Sequence, residues 1–296
     1  MIRSEWLSAY IAFAEELSFT RGAARLHVSQ PAFHVQIRKL GEELGATLYE
    51  RAGRGLILTA RGRELLAYAR EARDGAEAFL ARFSGVETTA PTVLAAGEGV
   101  LLYVLGPSLR ALSTRSGTRL RILTRDRERT IAAVISREAH LGVAALEVVP
   151  DGLRATRLHR SAMVVAMPRG HRLARLAKVK LRDLAGERLI VPPPGSRHRE
   201  TLTRLLAAAG VEWEVALEAG GWPLMLESAR LGMGLAIVND VCRLPAGVVG
   251  RPVPELPAID YQLLEAMGGR LGAAGERLRA AIVEAFARAG RGGHRR

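Results

Sequence analysis

The chain has 296 residues, 48% hydrophobic and 25% charged, which is enough for two or three globular domains. No run of about 18 apolar residues predicts a membrane span, and the acidic N-terminal stretch lacks the apolar core and cleavage site of a signal peptide. The single cysteine, Cys242, excludes an internal disulfide and a cysteine-based metal cluster. We therefore expect a cytoplasmic protein with no membrane partner.

The formal net charge of +13 is unevenly distributed along the chain. A strongly basic chain is typical of nucleic-acid binding, but residues 1–89 carry 12 basic and 11 acidic side chains, a net of only +1. Within that part, residues 20–63 hold 8 basic and 3 acidic side chains, a net of +5. The local cluster is thus more informative than the total.

Three helices are predicted at the N-terminus. Apolar side chains repeat every three or four residues over 6–17, which indicates the first helix. A second helix is predicted from Ser18 or Thr20 to about residue 26. Ser29 is a good N-cap, and Pro31 follows at a first-turn position where a missing N–H costs nothing, so a third helix begins there.

The third helix has two distinct faces. An inward apolar stripe is formed by Phe33, Ile37, Leu40 and Leu44, and the opposite face carries Gln30, Pro31, His34, Val35 and Arg38. A short turn between crossing helices, with a polar face on the second, is the helix-turn-helix arrangement that places a recognition helix in the major groove. The same pattern also fits two packed helices with a solvated face, and the helical pattern by itself leaves both interpretations open.

A hairpin and a long helix follow. Residues 48–50 and 56–58 read as two strands joined by a basic, glycine-rich turn over 51–55. Arg51 and Arg54 at the tip of this wing would meet the DNA backbone or minor groove. Thr59 caps a helix to about Phe83, whose apolar positions step by four and three residues, a seam suited to a second copy of the chain. Packing within one chain is the alternative for that seam, which comprises Leu65, Ala69, Ala72, Ala76, Phe79 and Phe83.

These residues carry a family resemblance. The stretch SFTRGAARLHVSQPAFHVQIRKLGEELGATLYERAGRGLILTARGRELL resembles the winged helix-turn-helix of LysR-type transcriptional regulators over some fifty positions. His34 and Val35 stand where the family commonly has Ser-Arg, and Gly41 where Glu is frequent, which should alter the preferred bases. The predicted DNA-binding residues are Thr20, Arg21, Ser29, Gln30, Pro31, His34, Val35, Arg38, Arg51 and Arg54.

The rest of the chain alternates short apolar runs with helical patterns, which predicts βαβ units with a buried parallel sheet. This layout resembles the effector domain of the same family, a two-lobed α/β fold like the periplasmic solute-binding proteins. The predicted division is a winged helix-turn-helix at 1–58, a linker helix and hinge at 59–90, and an effector domain at 91–296. Lobe one is predicted at 92–162 plus 266–296, and lobe two at 163–265.

A ligand is expected in the cleft between the lobes, at the carboxyl ends of strands and the N-termini of helices. Glu98 stands where many family members have Ser or Thr, and it would disfavour a simple anion unless it pairs with Arg125. Ser196 with Arg197 would suit a carboxylate, and Trp222 an aromatic group. Strand-end glycines can equally be plain turn residues. The candidate effector-binding residues are Gly97, Glu98, Gly99, Val100, Thr124, Arg125, Gly195, Ser196 and Trp222.

No phosphate loop, zinc motif or convergent catalytic set is present in the sequence, so no enzyme activity, metal or cofactor is predicted. The prediction is a sequence-specific transcriptional regulator that binds an inverted-repeat promoter site in double-stranded DNA and a small-molecule effector. We expect a homodimer or homotetramer, with RNA polymerase as a further candidate partner. The alternatives are an enzyme or solute-binding module localised by the winged helix, and a nucleoid-type binder with little sequence preference.

Overall fold

The computed structural model describes residues 2–53, 55–84, 90–115 and 118–292. Arg54 and most of the predicted hinge, 85–89, lie outside these residues. The N-terminal domain and linker comprise α1 (Ser4–Glu16), α2 (Phe19–Arg25), α3 (Gln30–Leu44), β1 (Tyr49–Ala52), β2 (Gly55–Leu58) and α4 (Ala60–Ser84).

Three serine and threonine side chains cap the helices at the predicted positions. Ser18 Oγ accepts from the backbone N–H of Arg21 at 3.3 Å, and Ser29 Oγ accepts from that of Ala32 at 3.4 Å. Thr59 Oγ1 accepts from the Gly62 N–H at 3.0 Å and donates to the Thr47 carbonyl at 2.7 Å. Each bond satisfies an N–H that has no partner within its helix, and the predicted helix starts are therefore confirmed.

The core of the N-terminal domain forms where the aromatic face of α1 meets α3. Tyr10, Phe13, Phe33, Ile37 and Leu40 are buried there, as the apolar stripe of α3 predicts. The prediction was wrong for Leu44, which is 38% exposed because it lies in the last turn of α3, beyond the end of the core.

The strands of the wing are longer than predicted, and the turn between them is shorter. The strands β1 and β2 pair antiparallel from Tyr49 opposite Leu58 to Ala52 opposite Gly55. Arg51 therefore lies within β1, opposite Leu56, and not at the tip of the turn. Its side chain is exposed, so the pairing moves Arg51 along the wing without burying it.

The C-terminal domain contains two five-stranded sheets. Its elements are β3 (Thr92–Ala96), a π-helical segment (Val100–Leu105), α5 (Gly106–Arg115), β4 (Leu120–Thr124), α6 (Arg127–Ile135), β5 (Leu141–Ala145), β6 (Leu153–Ser161), β7 (Met163–Pro168), β8 (Arg188–Val191), α7 (Arg197–Ala208), β9 (Glu214–Glu218), α8 (Trp222–Arg230), β10 (Leu235–Asn239), β11 (Val248–Pro252), β12 (Ile259–Ala266) and α9 (Ala273–Gly292).

Both sheets contain the predicted parallel pairs but also antiparallel strands, so they are mixed. The strand orders are β4-β3-β5-β12-β6 and β11-β7-β10-β8-β9. Parallel pairs join β3 to β4 and β5, and β8 to β9 and β10, whereas β12, β6, β7 and β11 pair antiparallel. Sequence reasoning missed β6 and β11 because their residues lack a continuous apolar run.

Strand β12 corrects the predicted lobe boundary. The sequence-based division placed residues up to 265 in lobe two, but β12 pairs with β5 and β6 in the sheet of lobe one. The chain therefore returns to lobe one before residue 259. Tyr261, at the start of this strand, is a lobe-one residue for this reason.

The strands alternate between two buried faces, as a period of two requires. In β3, Leu94 and Ala96 face one apolar cluster, and Val93 and Ala95 face another. Helices cover both faces, so each lobe has its own core. Within the described residues, every helix is too short or too polar to cross a lipid bilayer.

Helix α4 divides its apolar seam between two environments. Leu65 and Ala69 pack into the core of the N-terminal domain of the same chain. Farther along, Phe79 and Phe83 stack with ring centroids 5.9 Å apart and are 55% and 81% exposed. The first part of the seam thus packs within the chain, whereas the second part is solvent-exposed in the monomer.

Candidate DNA-binding surface and interlobe cleft

Gln30 lies at the exposed N-terminal turn of α3. The Thr20 hydroxyl, on α2, donates a hydrogen bond to Gln30 Oε1 at 3.2 Å. This contact joins the two helices through their exposed side chains and limits the rotamers open to Gln30. Ser29 and Pro31 flank Gln30 and are exposed too, with Ser29 occupied as the cap.

The basic side chains of this surface differ in how far acidic neighbours neutralise them. Arg21 donates to the Glu16 carboxylate at 3.0 Å and to the Glu16 carbonyl at 2.5 Å. Arg38 lies 3.4 Å from the Glu42 carboxylate, one helical turn away. Arg51 has no ion-pair partner among the described residues. The guanidinium group of Arg51 is therefore more available for binding a DNA phosphate than that of Arg21.

Two of the three positions that depart from the family pattern, His34 and Val35, are exposed on α3. The His34 ring packs against Phe19, with centroids 4.8 Å apart, and Val35 is 37% exposed. His34 is thus partly supported by α2, while Val35 presents an apolar group on the same face.

A cavity of about 430 Å³ lies between the lobes, within the usual range for small-molecule sites. Seven of the nine predicted effector residues line it, contributed by the ends of β3 and β4 in lobe one and by the start of α8 in lobe two. They are Gly97, Glu98, Gly99, Val100, Thr124, Arg125 and Trp222.

The other two predicted residues, Gly195 and Ser196, are not among the residues that line the cavity. Ser196 Oγ caps α7 by accepting from the Arg199 N–H at 3.3 Å. Arg197, the expected partner for a carboxylate, forms an ion pair across the lobes with Glu147. Both groups are engaged within the protein, which argues against the carboxylate site expected there.

Trp222 is held in a fixed position where the lobes meet. The Tyr261 hydroxyl accepts hydrogen bonds from the Trp222 indole and the Asn239 amide. A Cβ atom on Gly99 would lie 2.6 Å from Trp222 Cδ1, so only glycine permits this approach of lobe one to the indole. Burial also raises the pKa of Tyr261 far above its ordinary value, which keeps its hydroxyl neutral.

Sequence reasoning missed His198, which also lines the cavity. Its ring meets Trp222 edge-on with centroids 4.9 Å apart, and Nε2 lies 3.0 Å from the Ile237 carbonyl oxygen. Because a carbonyl can only accept, Nε2 carries the hydrogen and Nδ1 is an acceptor. Burial, partly opposed by the bond to Ile237, lowers the pKa of His198 to about 4, so the ring is neutral at physiological pH.

At the rim of the cleft Glu98 does not pair with Arg125, so the condition under which the cleft would suit a simple anion is not met. Arg125 instead lies 3.6 Å from Glu138. The other rim arginines are also paired, Arg127 with Glu128 at 2.8 Å and Arg129 with Asp126 at 3.6 Å. Glu98, by contrast, is exposed and has no ion-pair partner among the described residues.

The pKa of Tyr103 is raised to about 12. Burial is the largest cause, and the neighbouring Cys242 and Glu98 make smaller contributions. The contribution of Glu98 has the sign of a nearby negative charge, which disfavours ionisation of the phenol.

The described residues contain no cluster of three or more His, Cys, Asp or Glu side chains suited to a metal ion.

Arg70 connects three parts of the molecule. It lies on α4, is 6% exposed, and donates to the Glu15 carboxylate of α1 at 3.1 Å and to the Ser136 carbonyl of lobe one at 2.9 Å. Arg137 of lobe one pairs with Glu71, the next residue of α4, at 3.0 Å. The linker helix is therefore fixed to both the N-terminal domain and lobe one.

Comparison with known families identifies the class of protein to which this fold belongs. Residues 4–63 match the family described as "Bacterial regulatory helix-turn-helix protein, lysR family", and residues 89–287 match "LysR substrate binding domain". The chain belongs to the LysR family of transcriptional regulators, and it is a DNA-binding regulator with an effector domain, not an enzyme.

Curated relatives are similar over most of their length. The chain is 29% identical over 267 residues to the HTH-type transcriptional regulator XapR of Escherichia coli (strain K12), covering 88% of this chain and 90% of XapR. It is 31% identical over 264 residues to the HTH-type transcriptional regulator ShiR of Corynebacterium glutamicum (strain R), covering 84% and 88%.

Solved structures share the fold. A full-length OxyR variant from Pseudomonas aeruginosa superposes with a TM-score of 0.73 at 20% identity, covering 97% of this chain and 95% of that one. Full-length CbnR in complex with its target DNA superposes with a TM-score of 0.58 at 23% identity, covering 97% and 99%. These likenesses confirm the predicted class of fold.

Proposed function

We propose that this regulator binds an inverted-repeat promoter site through α3 and the wing, and that an effector in the interlobe cleft changes the relative placement of two DNA-binding domains. The observation that carries the first part is Gln30, which is exposed at the first turn of α3 and restrained by Thr20. A glutamine in this position can bond adenine at two points in the major groove. Thr20, Ser29, Pro31 and His34 support or flank that contact.

The proposed contacts divide into those that read bases and those that bind phosphate. Gln30 and Val35 read bases, the latter through apolar contact with a thymine methyl group. Arg38 and Arg51 bind phosphate or guanine, and Arg54 is expected to extend the wing contact. Arg21 contributes less, because Glu16 already occupies its guanidinium group.

The linker helix is the proposed lever between the effector and DNA. Arg70 and the Arg137–Glu71 pair tie α4 to lobe one. An effector that favours one arrangement of the lobes therefore also changes the position of α4, and with it the position of the DNA-binding domain. Regulation requires that the effector bind the two arrangements of the assembly with different affinities.

Gln30→Ala should weaken binding to the preferred site by about 1–3 kcal/mol and have little effect on random DNA. Arg51→Ala should weaken binding to all DNA and lower the salt slope by about one, because it removes one phosphate contact. Fluorescence anisotropy with both DNAs at several salt concentrations measures these effects. Gln36→Ala, at a half-buried position of α3, is the control. Equal losses for Gln30→Ala on specific and random DNA would contradict base reading and favour a nucleoid-type binder.

The exposed end of α4 is the proposed contact between copies of the chain. Phe79→Ser with Phe83→Ser should raise the dissociation constant of the dimer at least about tenfold, because two aromatic side chains lose their burial. Sedimentation velocity over a range of concentrations measures this. Val148→Ser is the control, since Val148 is 80% exposed, much as Phe83 is, but lies in lobe one. A wild-type protein that is monomeric at micromolar concentration would rule this contact out.

The cellular setting is part of the same proposal. A regulator that binds promoter DNA works in the cytoplasm, and we propose that location for this chain. A dimer or a pair of dimers at a promoter is well placed to contact RNA polymerase, which is the further partner that we propose.

A further inference from the structure

Glu98 gives the interlobe cleft a charge preference that differs from that of a site for simple anions. Three arginines lie at the rim, but each has an acidic partner: Glu138 for Arg125, Glu128 for Arg127 and Asp126 for Arg129. The Glu98 carboxylate has no such partner among the described residues. Among the described charged residues that line the cleft, Glu98 is therefore the one that no ion pair neutralises.

Glu98 also lies where the two lobes approach each other. Its Oε2 atom is 3.0 Å from the position that a Cβ of Gly221 would occupy, and a Cβ on the adjacent Gly99 would lie 2.6 Å from Trp222 Cδ1. A cation held by Glu98 would thus lie beside the first turn of α8. Cations bind favourably over the face of a tryptophan ring, and the attraction grows when water is excluded.

His198 also lines the cleft. Its neutral ring keeps Nδ1 as a hydrogen-bond acceptor, because its Nε2–H is donated to the Ile237 carbonyl. The His198 ring does not become cationic at neutral pH, since burial holds its pKa near 4. Around these groups the lining is apolar and includes Val100, Val143 and Met225.

We propose that the effector is a small cationic molecule, an amine or amidine joined to an aromatic or apolar group, whose cation binds Glu98 and whose ring lies against Trp222. This inference rests on the proposed function of the cleft and specifies the chemistry of its ligand. Because Glu98 belongs to lobe one and Trp222 to lobe two, such a molecule bridges the lobes. It stabilises the closed cleft by contacts that an open cleft cannot make together.

Calorimetric titration of the full-length protein without DNA tests the proposal. The cationic probes are benzamidine and phenethylamine, and the anionic probes are benzoate and phenylacetate, which have similar shapes. The cations should bind with saturation at millimolar concentration, and the anions should bind at least about tenfold more weakly. Glu98→Gln should weaken benzamidine binding about tenfold or more, because a charge-assisted hydrogen bond becomes a neutral one.

Glu128→Gln is the matched control, since it removes the same charge from the rim at a position already paired with Arg127. It should change benzamidine binding by less than about threefold. Benzoate binding as tight as benzamidine binding, no saturable binding of either cation, or an unchanged affinity in Glu98→Gln would each overturn the proposal. DNA binding is measured separately, so failure of these titrations is distinguishable from failure of the DNA-binding function.

Discussion

Gly62→Ala is expected to unfold the N-terminal domain and abolish DNA binding. A Cβ at this position would lie 2.0 Å from the Leu48 carbonyl oxygen and 2.7 Å from Tyr10 Oη. Tyr10 donates to the Gly62 carbonyl at 2.9 Å, so the clash also breaks a buried hydrogen bond. Neither backbone segment can move without separating α4 from the wing. We expect the free energy of unfolding to fall by about 3 kcal/mol or more.

Gly75→Ala, on the same helix, is the control for this substitution. No atom lies within 4 Å of a Cβ built on Gly75. Alanine is the better helix former, so this variant should be stabilised by about 0.5–1 kcal/mol. Urea unfolding followed by tryptophan fluorescence compares the two variants. A Gly62→Ala protein with the midpoint of the wild type would contradict the close approach of α4 to the wing.

Arg70→Met is expected to weaken the attachment of the linker helix to lobe one and to α1, although the Arg137–Glu71 pair and the packing of Leu65 and Ala69 remain. The substitution keeps an unbranched side chain but removes the donors to Glu15 and the Ser136 carbonyl. Glu15 keeps a second partner, since Arg25 lies 2.6 Å from its carboxylate. We therefore expect a loss of about 2–3 kcal/mol, less than for a fully orphaned buried charge. The N-terminal and effector domains should then unfold in separate calorimetric transitions.

The effect of Arg70→Met should depend on pH in a defined direction. Burial raises the pKa of Glu15, but the hydrogen bond from Arg70 and the charges of Arg25 and Arg70 outweigh it, so the pKa lies below its ordinary value of 4.5. A lowered pKa stabilises the fold above the pKa of the unfolded chain, and that stabilisation is lost as pH falls through the folded value. The difference between wild type and Arg70→Met should therefore narrow below about pH 4.5.

Arg73→Met provides the matched control, because Arg73 is exposed on α4 and pairs only with the adjacent Asp74 among the described residues. Its loss should cost at most about 1 kcal/mol and leave the transitions unchanged. A single transition in Arg70→Met, with the stability of the wild type, would show that Arg70 does not couple the domains.

Local patterns predicted the N-terminal domain well because its helix starts depend on adjacent residues. The caps at Ser18, Ser29 and Thr59 each bond an N–H three residues away, and such bonds can be read from the sequence. Leu44 and Arg51 were misplaced because the extent of a core and the length of a hairpin turn depend on tertiary packing and register.

The cleft was less predictable, because its residues come from distant parts of the chain. The ends of β3 and β4 could be identified from strand-end glycines and polar residues. The assignment of Tyr261 to lobe one depends on pairing of β12 with β5, more than 110 positions earlier in the sequence, and no local pattern shows it. The partners of Arg70 and Arg125 likewise follow from packing, and no local pattern shows that Arg125 pairs with Glu138 and not with Glu98.

Selection of genomic DNA fragments by the purified full-length protein tests the central claim most directly. The bound fragments are sequenced at about physiological salt, because nucleic-acid affinities depend steeply on salt concentration. The account predicts recovery of a short inverted repeat upstream of a few genes, as required for two copies of α3 in successive major grooves. Recovery of random fragments with no shared repeat would contradict it.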